Sequence, residues 1–211
     1  MSSTPDAMAE VASTHLLALH GPRKLVALAG PPGAGKSTLA DHICARLRTA
    51  NRTAAVVPMD GFHLDNAILL ERGLRHRKGA PETFDAAGFR HLVSRIAAGE
   101  RDIVYPVFDR SRDVAVAGAG VLPADVEFVL FEGNYLLVRD APWGDLADFW
   151  SFKIWLDAPL PTLEARLIDR WVSEALPEIE ARARFEGNDL PNVRFVSERS
   201  ARGDLMLRAP A

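Results

Sequence analysis

Residues 30–37 read GPPGAGKS and fill every fixed position of the phosphate-binding pattern G-x-x-x-x-G-K-[ST]. They follow an apolar run at 24–29 and precede a segment at 36–49 that has the apolar spacing of a helix. Gly33 and Gly35 permit a tight turn in which backbone N–H groups point at a phosphate chain beside the helix N-terminus. The stretch therefore predicts a phosphate-binding loop between a strand and a helix.

The side chains of this loop have distinct expected roles. Lys36 is placed to reach the β- and γ-phosphates of a nucleotide, and Ser37 is placed to hold Mg²⁺. A glycine-rich turn that binds nothing is the alternative, but both the pattern and its context argue against it. ATP and Mg²⁺ are the expected cofactors, and the predicted nucleotide-binding residues are Gly30, Gly33, Ala34, Gly35, Lys36, Ser37 and Thr38.

Short apolar runs alternate with helical segments along the rest of the chain. Further strands are predicted at 54–59, 102–108, 126–131 and 152–156, and further helices at 64–72, 86–98 and 160–186. Nearly continuous apolar strands separated by crossover helices are typical of a parallel sheet covered on both faces. The predicted fold class is α/β, a three-layer P-loop NTPase fold with a mostly parallel sheet, helices on both faces and a helical lid.

The chain is expected to divide near residue 22. Residues 1–22 are predicted to form an N-terminal helical extension, in which 1–10 are frayed and 11–20 are helical. The single P-loop domain then occupies 23–211.

Two further segments differ from the strand-and-helix alternation. The interval 111–125 has Gly118 and Gly120 between two valine runs and predicts a hairpin or an excursion from the main sheet. The tail predicts a short helix and then a last strand or docking segment near 205–207.

Composition disfavours several classes of partner. The chain has 211 residues, a net charge of -3 and a pI near 6.1, so it has no global attraction to nucleic acid. No apolar run approaches the roughly 20 residues that a membrane span needs. Cys44 is the lone cysteine, and the chain starts without a secretory pattern. We expect a cytoplasmic protein that binds neither nucleic acid nor membranes.

Two carboxylates end predicted strands. Asp60 follows the apolar run at 54–59, and in a parallel sheet it would lie at the same edge as the phosphate loop. It could accept the proton of a hydroxyl that attacks the γ-phosphate, or it could cap the following helix. Glu132 ends the run at 126–131, an arrangement that positions Mg²⁺, although a solvated turn is the alternative.

The order of five motifs resembles one enzyme superfamily. The motifs are GPPGAGKS, MDGFH (59–63), RKGAPETFD (77–85), YPVFDRSRD (105–113) and FEGNYLL (131–137). This order is similar to that in the uridine kinase, phosphoribulokinase and pantothenate kinase superfamily. Within it, the chain most resembles bacterial proteins described as fructose transport system kinases. The match covers about residues 30–205.

The resemblance implies roles for several of these residues. Asp60 matches the catalytic base, while Phe62 and His63 match residues that line the acceptor pocket. Asp85 and Arg112 match positions that hold the hydroxyl or charged groups of the acceptor.

Other residues complete the predicted acceptor site. Asp85 and Asp109 could each accept hydrogen bonds from two vicinal hydroxyls, although Asp85 could instead cap the helix that follows it. Phe84 and Tyr105 could line the pocket or pack in the core, and Asn134 is a further candidate beside Glu132. A basic cluster could bind an anionic acceptor or face water; it comprises Arg72, Arg75, His76, Arg77 and Lys78.

The segment 160–187 is helical, rich in charge and interrupted at Pro177, and it is predicted to form the lid. A lid arginine can neutralise charge on a transferring phosphoryl group. Arg166 and Arg170 share a helical face and are the candidates, although Arg170 could instead pair with Glu174 on the surface.

The leading hypothesis is an ATP-dependent kinase that phosphorylates an alcohol group of a small molecule such as a sugar, a nucleoside or a pantothenate-like acceptor. One alternative is a regulatory NTPase that phosphorylates no metabolite. Another is a kinase for an acceptor that is already phosphorylated. A homodimer is a family-level expectation.

Overall fold

Five parallel strands form the central sheet in a computed structural model, which describes residues 4–210. The strand order is β2-β5-β1-β6-β7. The strands span Lys24–Ala29 (β1), Ala54–Pro58 (β2), Phe128–Gly133 (β5), Phe152–Asp157 (β6) and Leu205–Arg208 (β7). A separate two-stranded sheet pairs Ile103–Asp109 (β3) with Val114–Leu122 (β4) in antiparallel fashion.

Seven α-helices surround these strands in residues 4–210. They span Pro5–Leu17 (α1), Lys36–Thr49 (α2), Asn66–Glu71 (α3), Ala86–Ala97 (α4), Leu160–Ser173 (α5), Glu178–Arg184 (α6) and Leu190–Arg199 (α7). A π-helical turn at Phe185–Asp189 joins the last two. None of the helices in the described part of the chain is long and apolar enough to cross a membrane.

Apolar clusters cover both faces of the sheet. Alternate residues of β1 enter opposite clusters: Ala27 faces α4, whereas Val26 and Leu28 face α1 and α2. All six residues of β1 are buried, which explains why this strand reads as a continuous apolar run. The predicted α/β fold with helices on both faces is confirmed.

The predicted strand at 102–108 exists, but its expected place in the parallel sheet is wrong. β3 and β4 are joined by a four-residue turn at 110–113. A parallel connection needs a dozen or more residues, so this short turn requires an antiparallel hairpin. The expected excursion at 111–125 is confirmed as β4, a single strand rather than two short runs.

The expectation that residues 1–10 are frayed is wrong for 5–10, while 1–3 lie outside the described residues. Thr4 accepts a hydrogen bond from the Ala7 N–H at 3.2 Å, and Pro5 occupies the first helical position, where its missing N–H costs nothing. Met8 and Leu16 are buried against α2. The division of the chain at residue 22 stays a prediction.

One carboxylate joins three neighbouring strands at the edge of the sheet opposite the phosphate loop. Glu127 precedes β5, Lys24 begins β1 and Arg52 precedes β2. The Lys24 Nζ atom donates to Glu127 Oε1 at 2.6 Å, and the Arg52 guanidinium donates to both carboxylate oxygens. These two cations lower the pKa of Glu127 to about 2, with hydrogen bonding from Arg52 as the largest cause.

We expect Glu127→Gln to lower the free energy of unfolding by about 2 kcal/mol at pH 7, because it leaves the buried Lys24 without a counter-charge. The folded-state pKa of Glu127 is depressed, so its contribution is present above about pH 4.5 and is lost as the pH falls towards 2. The difference in the free energy of unfolding between mutant and wild type, measured by urea titration, should therefore shrink as the pH falls over that range. Glu100→Gln, which removes an exposed ion pair with Arg95, should cost far less.

The packing of α1 predicts a second stability effect. Leu16 is fully buried against α2, so Leu16→Ala should lower the free energy of unfolding by roughly 2–5 kcal/mol. Val11 lies on the same helix and is 45% exposed, so Val11→Ala is the matched control and should cost less than about 1 kcal/mol. Equal losses in urea titrations would show that α1 does not belong to the core.

Candidate active site

The phosphate loop connects β1 to α2 and depends on left-handed backbone at two glycines. Gly33 has φ 80° and Gly35 has φ 96°, values that side chains with a Cβ rarely adopt. Gly35 is the N-cap of α2, so the free N–H groups of the first helical turn face the loop. Strand, loop and helix thus have the arrangement that the sequence predicted for a phosphate site.

Lys36 begins α2 with a buried ammonium group. Its Nζ atom donates to the Pro31 carbonyl at 2.9 Å and to Asn134 Oδ1 at 2.6 Å. Burial lowers the pKa of Lys36 to about 8, while the negative charges of Glu132 and Asp60 oppose that shift. The ammonium has two neutral acceptors and no bonded carboxylate, so it is under-compensated.

Glu132 lies near the end of β5, opposite Leu28 of β1 and Pro58 of β2 in the parallel register. It is 7% exposed, and burial raises the pKa of its carboxyl group to about 7, with a further rise from Asp60. The hydroxyl of Ser37, which lines the same cleft, opposes that rise of the pKa. A buried carboxylate beside a hydroxyl is a pair of oxygen donors that suits Mg²⁺.

Asp60 follows β2 on a single 3-10 turn, Met59–Phe62. Its Oδ2 atom accepts a hydrogen bond from the Arg110 guanidinium at 2.6 Å, and its side chain is 24% exposed. The alternative role as a helix cap is not observed, because the N-cap of α3 is Asp65, which accepts from the Ala67 N–H at 2.8 Å. The Asp60 carboxylate thus faces the cleft.

A cleft of about 610 Å³ contains the phosphate loop and both acidic residues. Its walls come from the phosphate loop, the 59–63 turn, the ends of β3 and β5, and the 160–192 segment. Among the predicted site residues, it brings together Gly33, Gly35, Lys36, Ser37, Thr38, Asp60, His63, Phe84, Glu132, Asn134 and Arg170.

An aromatic group forms one wall of the cleft. The His63 ring lies 4.0 Å from the Phe84 ring and 4.6 Å from the Phe108 ring, measured between centroids. Burial lowers the pKa of His63, so the neutral ring is favoured. Phe108 was not among the predicted site residues, although it lies in the motif YPVFDRSRD.

Five predicted acceptor residues do not line the cleft. Asp85 caps α4 by accepting from the Gly88 N–H at 2.8 Å, and Phe62 packs on Phe89 in the core. Tyr105 is also buried, and its hydroxyl donates to the Val56 carbonyl at 3.2 Å. The other two lie at the β3–β4 turn, where they pair with each other; they are Asp109 and Arg112.

The basic cluster at 72–78 divides between solvent and cleft. Arg72 and His76 are exposed. Arg75 and Lys78 line the cleft, where both pair with Asp113, at 3.0 Å and 2.8 Å respectively. Asp113 is the last residue of the β3–β4 turn, so one carboxylate from the hairpin pairs with two cations of this wall.

The segment 160–187 places its two predicted arginines differently. Arg166 donates to the Gly33 and Ala34 carbonyls, both at 3.3 Å, and supports the phosphate loop from outside the cleft. Arg170 lines the cleft, and its nearest carboxylate is Asp189 at 3.9 Å rather than the Glu174 that the sequence suggested.

Arg184 is a cleft residue that the sequence did not reveal. Its guanidinium lies 4.0 Å from the ring of Trp171, and Arg170 lies 4.5 Å from the same ring. The Nε atoms of both arginines are buried and have no hydrogen-bond partner among residues 4–210. Two carboxylates, Asp189 and Glu174, line the same part of the cleft, and burial lowers the pKa of Arg184.

Known proteins share both the sequence and the fold of this chain. A "putative fructose transport system kinase" from Silicibacter sp. TM1040 is 44% identical, with a TM-score of 0.89 over 96% of this chain and 98% of that one. The "Putative uridine kinase" of Schizosaccharomyces pombe is 35% identical over 90% of this chain and 84% of its own length. The pantothenate kinase of Chelativorans sp. is 30% identical over 87% of this chain and 67% of its own length. No family model matches.

The chain belongs to the P-loop kinase family of uridine kinase and pantothenate kinase. Phosphoribulokinase from Rhodobacter spheroides shares its fold alone, at 14% identity and a TM-score of 0.55. The resemblance inferred from the five motifs is thereby confirmed. Kinases of this type are phosphotransferases that generally use ATP and Mg²⁺. The phosphate loop with Lys36 fits ATP, and the oxygens of Ser37 and Glu132 fit Mg²⁺.

Arg184 gives a prediction for nucleotide binding by this P-loop kinase. Arg184→Gln should weaken Mg-ATP binding about tenfold, because a buried charge-assisted contact to phosphate is lost. Titration calorimetry would measure the dissociation constant. Arg182→Gln, two residues away on the same helix and exposed, is the matched control and should bind Mg-ATP as the wild type does. Equal affinities for all three proteins would contradict a phosphate contact by Arg184.

Proposed function

We propose that the protein is an ATP-dependent kinase that transfers the γ-phosphate to an alcohol group of a small molecule, with Asp60 as the general base. The observation that supports it most is that one cleft contains Asp60, Lys36 and Glu132 at the carboxyl ends of adjacent strands. Ligands of parallel α/β sheets bind at that edge.

The proposed transfer requires one proton acceptor and several positive charges. Asp60 takes the proton of the acceptor hydroxyl while the oxygen of that hydroxyl forms a bond to the γ-phosphorus. The bond between that phosphorus and the β–γ bridging oxygen breaks, which leaves ADP. Catalysis of such a transfer rests mainly on positioning and electrostatics.

The chain's own cations fit this need. The buried Lys36 ammonium and the guanidinium of Arg170 have no directly bonded carboxylate, so each can pair with phosphate oxygens. Ser37 and Glu132 would hold Mg²⁺, which supplies further neutralisation of phosphate charge when bound. Burial of Lys36 and Arg184 without full compensation is unfavourable until an anion arrives.

The aromatic wall supports an acceptor site next to Asp60. His63 is three residues from Asp60, and its Nδ1 lies 2.8 Å from the Asp60 carbonyl, so the ring is held beside the proposed base. The tilted rings of His63, Phe84 and Phe108 offer apolar surface to a sugar, a nucleoside or a pantothenate-like molecule.

Asp60→Asn should lower turnover about 10³-fold, because general-base catalysis contributes roughly that factor. Mg-ATP affinity should stay within a few-fold of wild type. Asp65→Asn is the matched control, since asparagine also caps helices, and it should retain full activity. Turnover of a true acceptor at the wild-type rate by Asp60→Asn would contradict the base assignment.

The function itself is tested by release of ADP from Mg-ATP across a panel of sugars, nucleosides and vitamins. We expect at least one hydroxyl compound to raise ADP release well above basal hydrolysis, with mass spectrometry showing the phosphorylated product. Hydrolysis that no acceptor changes would instead favour a regulatory NTPase.

A further inference from the structure

One oxygen of the proposed base, Oδ2 of Asp60, is paired with an arginine. Arg110 donates to Asp60 Oδ2 at 2.6 Å, and within residues 4–210 neither side chain has another hydrogen-bond partner. An acceptor hydroxyl has to reach that carboxylate, so the guanidinium stands where the acceptor must bind.

The hairpin is built to bring Arg110 to this point. β3 packs against the 59–62 turn so closely that a Cβ on Gly61 would lie 2.0 Å from the Pro106 carbonyl oxygen. The β3–β4 turn therefore begins beside Asp60. Gly61, next to Asp60 in the sequence, is what permits this approach.

The ion pair can be exchanged at little cost. Arg110 is 58% exposed, and ion pairs with such exposure contribute little to stability. The neighbouring cations, Lys78 and Arg75, are held more firmly by their partners than Arg110 is. Lys78 donates to Asn66 Oδ1 and to the backbone carbonyl of Asp113, each at 2.8 Å, and it also pairs with the Asp113 carboxylate. Arg75 shares that carboxylate.

Charge balance then limits the acceptor. Arg75, Lys78 and Arg110 form salt bridges in this half of the cleft with two carboxylates, Asp60 and Asp113, whereas the third carboxylate there, Glu132, forms none among residues 4–210. When a hydroxyl replaces the guanidinium at Asp60, Arg110 loses its only salt-bridge partner among residues 4–210. A neutral acceptor leaves it unpaired, whereas an acceptor with an oxyanion supplies a new partner that matches the planar guanidinium.

We propose that Arg110 selects acceptors that carry an oxyanion, a carboxylate or a phosphate ester, and that it leaves Asp60 for this anion when the acceptor binds. The inference rests on the proposed kinase function and specifies the class of its substrate. Arg110 thereby couples acceptor recognition to release of the base: a molecule without the anion meets a carboxylate that is still paired with Arg110.

Matched acceptor pairs test the selection. The pairs are pantothenate with panthenol, glycerate with glycerol, and fructose 6-phosphate with fructose. The first two pairs test a carboxylate, and the third tests a phosphate ester. For the acceptor that the protein phosphorylates, kcat/KM should be about tenfold higher for the anionic member, as expected for a charge-assisted contact to a partly exposed guanidinium. Arg110→Gln should bring the two kcat/KM values to within about twofold of each other. Arg101→Gln, an exposed arginine outside the cleft, should leave it unchanged.

Three results would overturn the inference while leaving the kinase function intact. The first is a neutral member that is phosphorylated as well as its anionic counterpart. The second is an Arg110→Gln protein that keeps the anionic preference. The third is an Arg110→Gln protein whose KM for ATP rises equally with every acceptor, which would assign Arg110 to the nucleotide instead.

A second measurement needs no acceptor and decides the case if no pair is phosphorylated. Basal ATP hydrolysis should rise several-fold in Arg110→Gln, because the uncovered Asp60 can then activate water, and the rise should vanish in Arg110→Gln/Asp60→Asn. Acetate should raise wild-type hydrolysis relative to chloride at equal ionic strength, without affecting Arg110→Gln. Hydrolysis that neither the substitution nor acetate changes would overturn the proposal.

Discussion

The parallel pairing of β1, β2 and β5 is the constraint on which the site depends. Their register sets Glu132 opposite Pro58 and Leu28, so the residues that follow each strand emerge at one edge. The phosphate loop follows β1 and Asp60 follows β2. Any slip of one residue between these strands would turn Glu132 to the other face of the sheet and separate the acid from the loop.

The site holds more buried charge than its own partners compensate. The ammonium of Lys36 is bonded only to neutral oxygens, Glu132 has a pKa near 7, and the Nε atoms of Arg170 and Arg184 lack partners among the described residues. Each of these features is costly in an empty cleft. Together they support the proposed binding of a triphosphate and a divalent cation in this cleft.

Two peripheral elements complete the cleft. The β3–β4 turn contributes Arg110 and Asp113, and the segment from α5 to α7 contributes Arg170, Trp171 and Arg184. Neither element belongs to the parallel sheet, yet both are anchored in the core, the hairpin through Ile103 and Leu122 and the α5–α7 segment through Leu163, Leu167 and Val193.

The sequence alone determined the phosphate loop, the α/β class and the family. It could do so because these depend on local rules: left-handed turns at Gly33 and Gly35, and apolar runs with helices between them. The same rules placed Asp60 and Glu132 at one edge, since parallel strands have a common direction.

The acceptor half of the cleft was decided only by tertiary structure. Asp85, Tyr105 and Arg112 belong to the matching motifs, yet the fold uses Asp85 as a helix cap, buries Tyr105 and turns Arg112 outwards. Arg110 and Arg184 reach the cleft because a hairpin folds onto Gly61 and a helix packs beside Trp171. Such contacts between segments distant in sequence leave no periodic or spacing signal, so no pattern along the chain can reveal them.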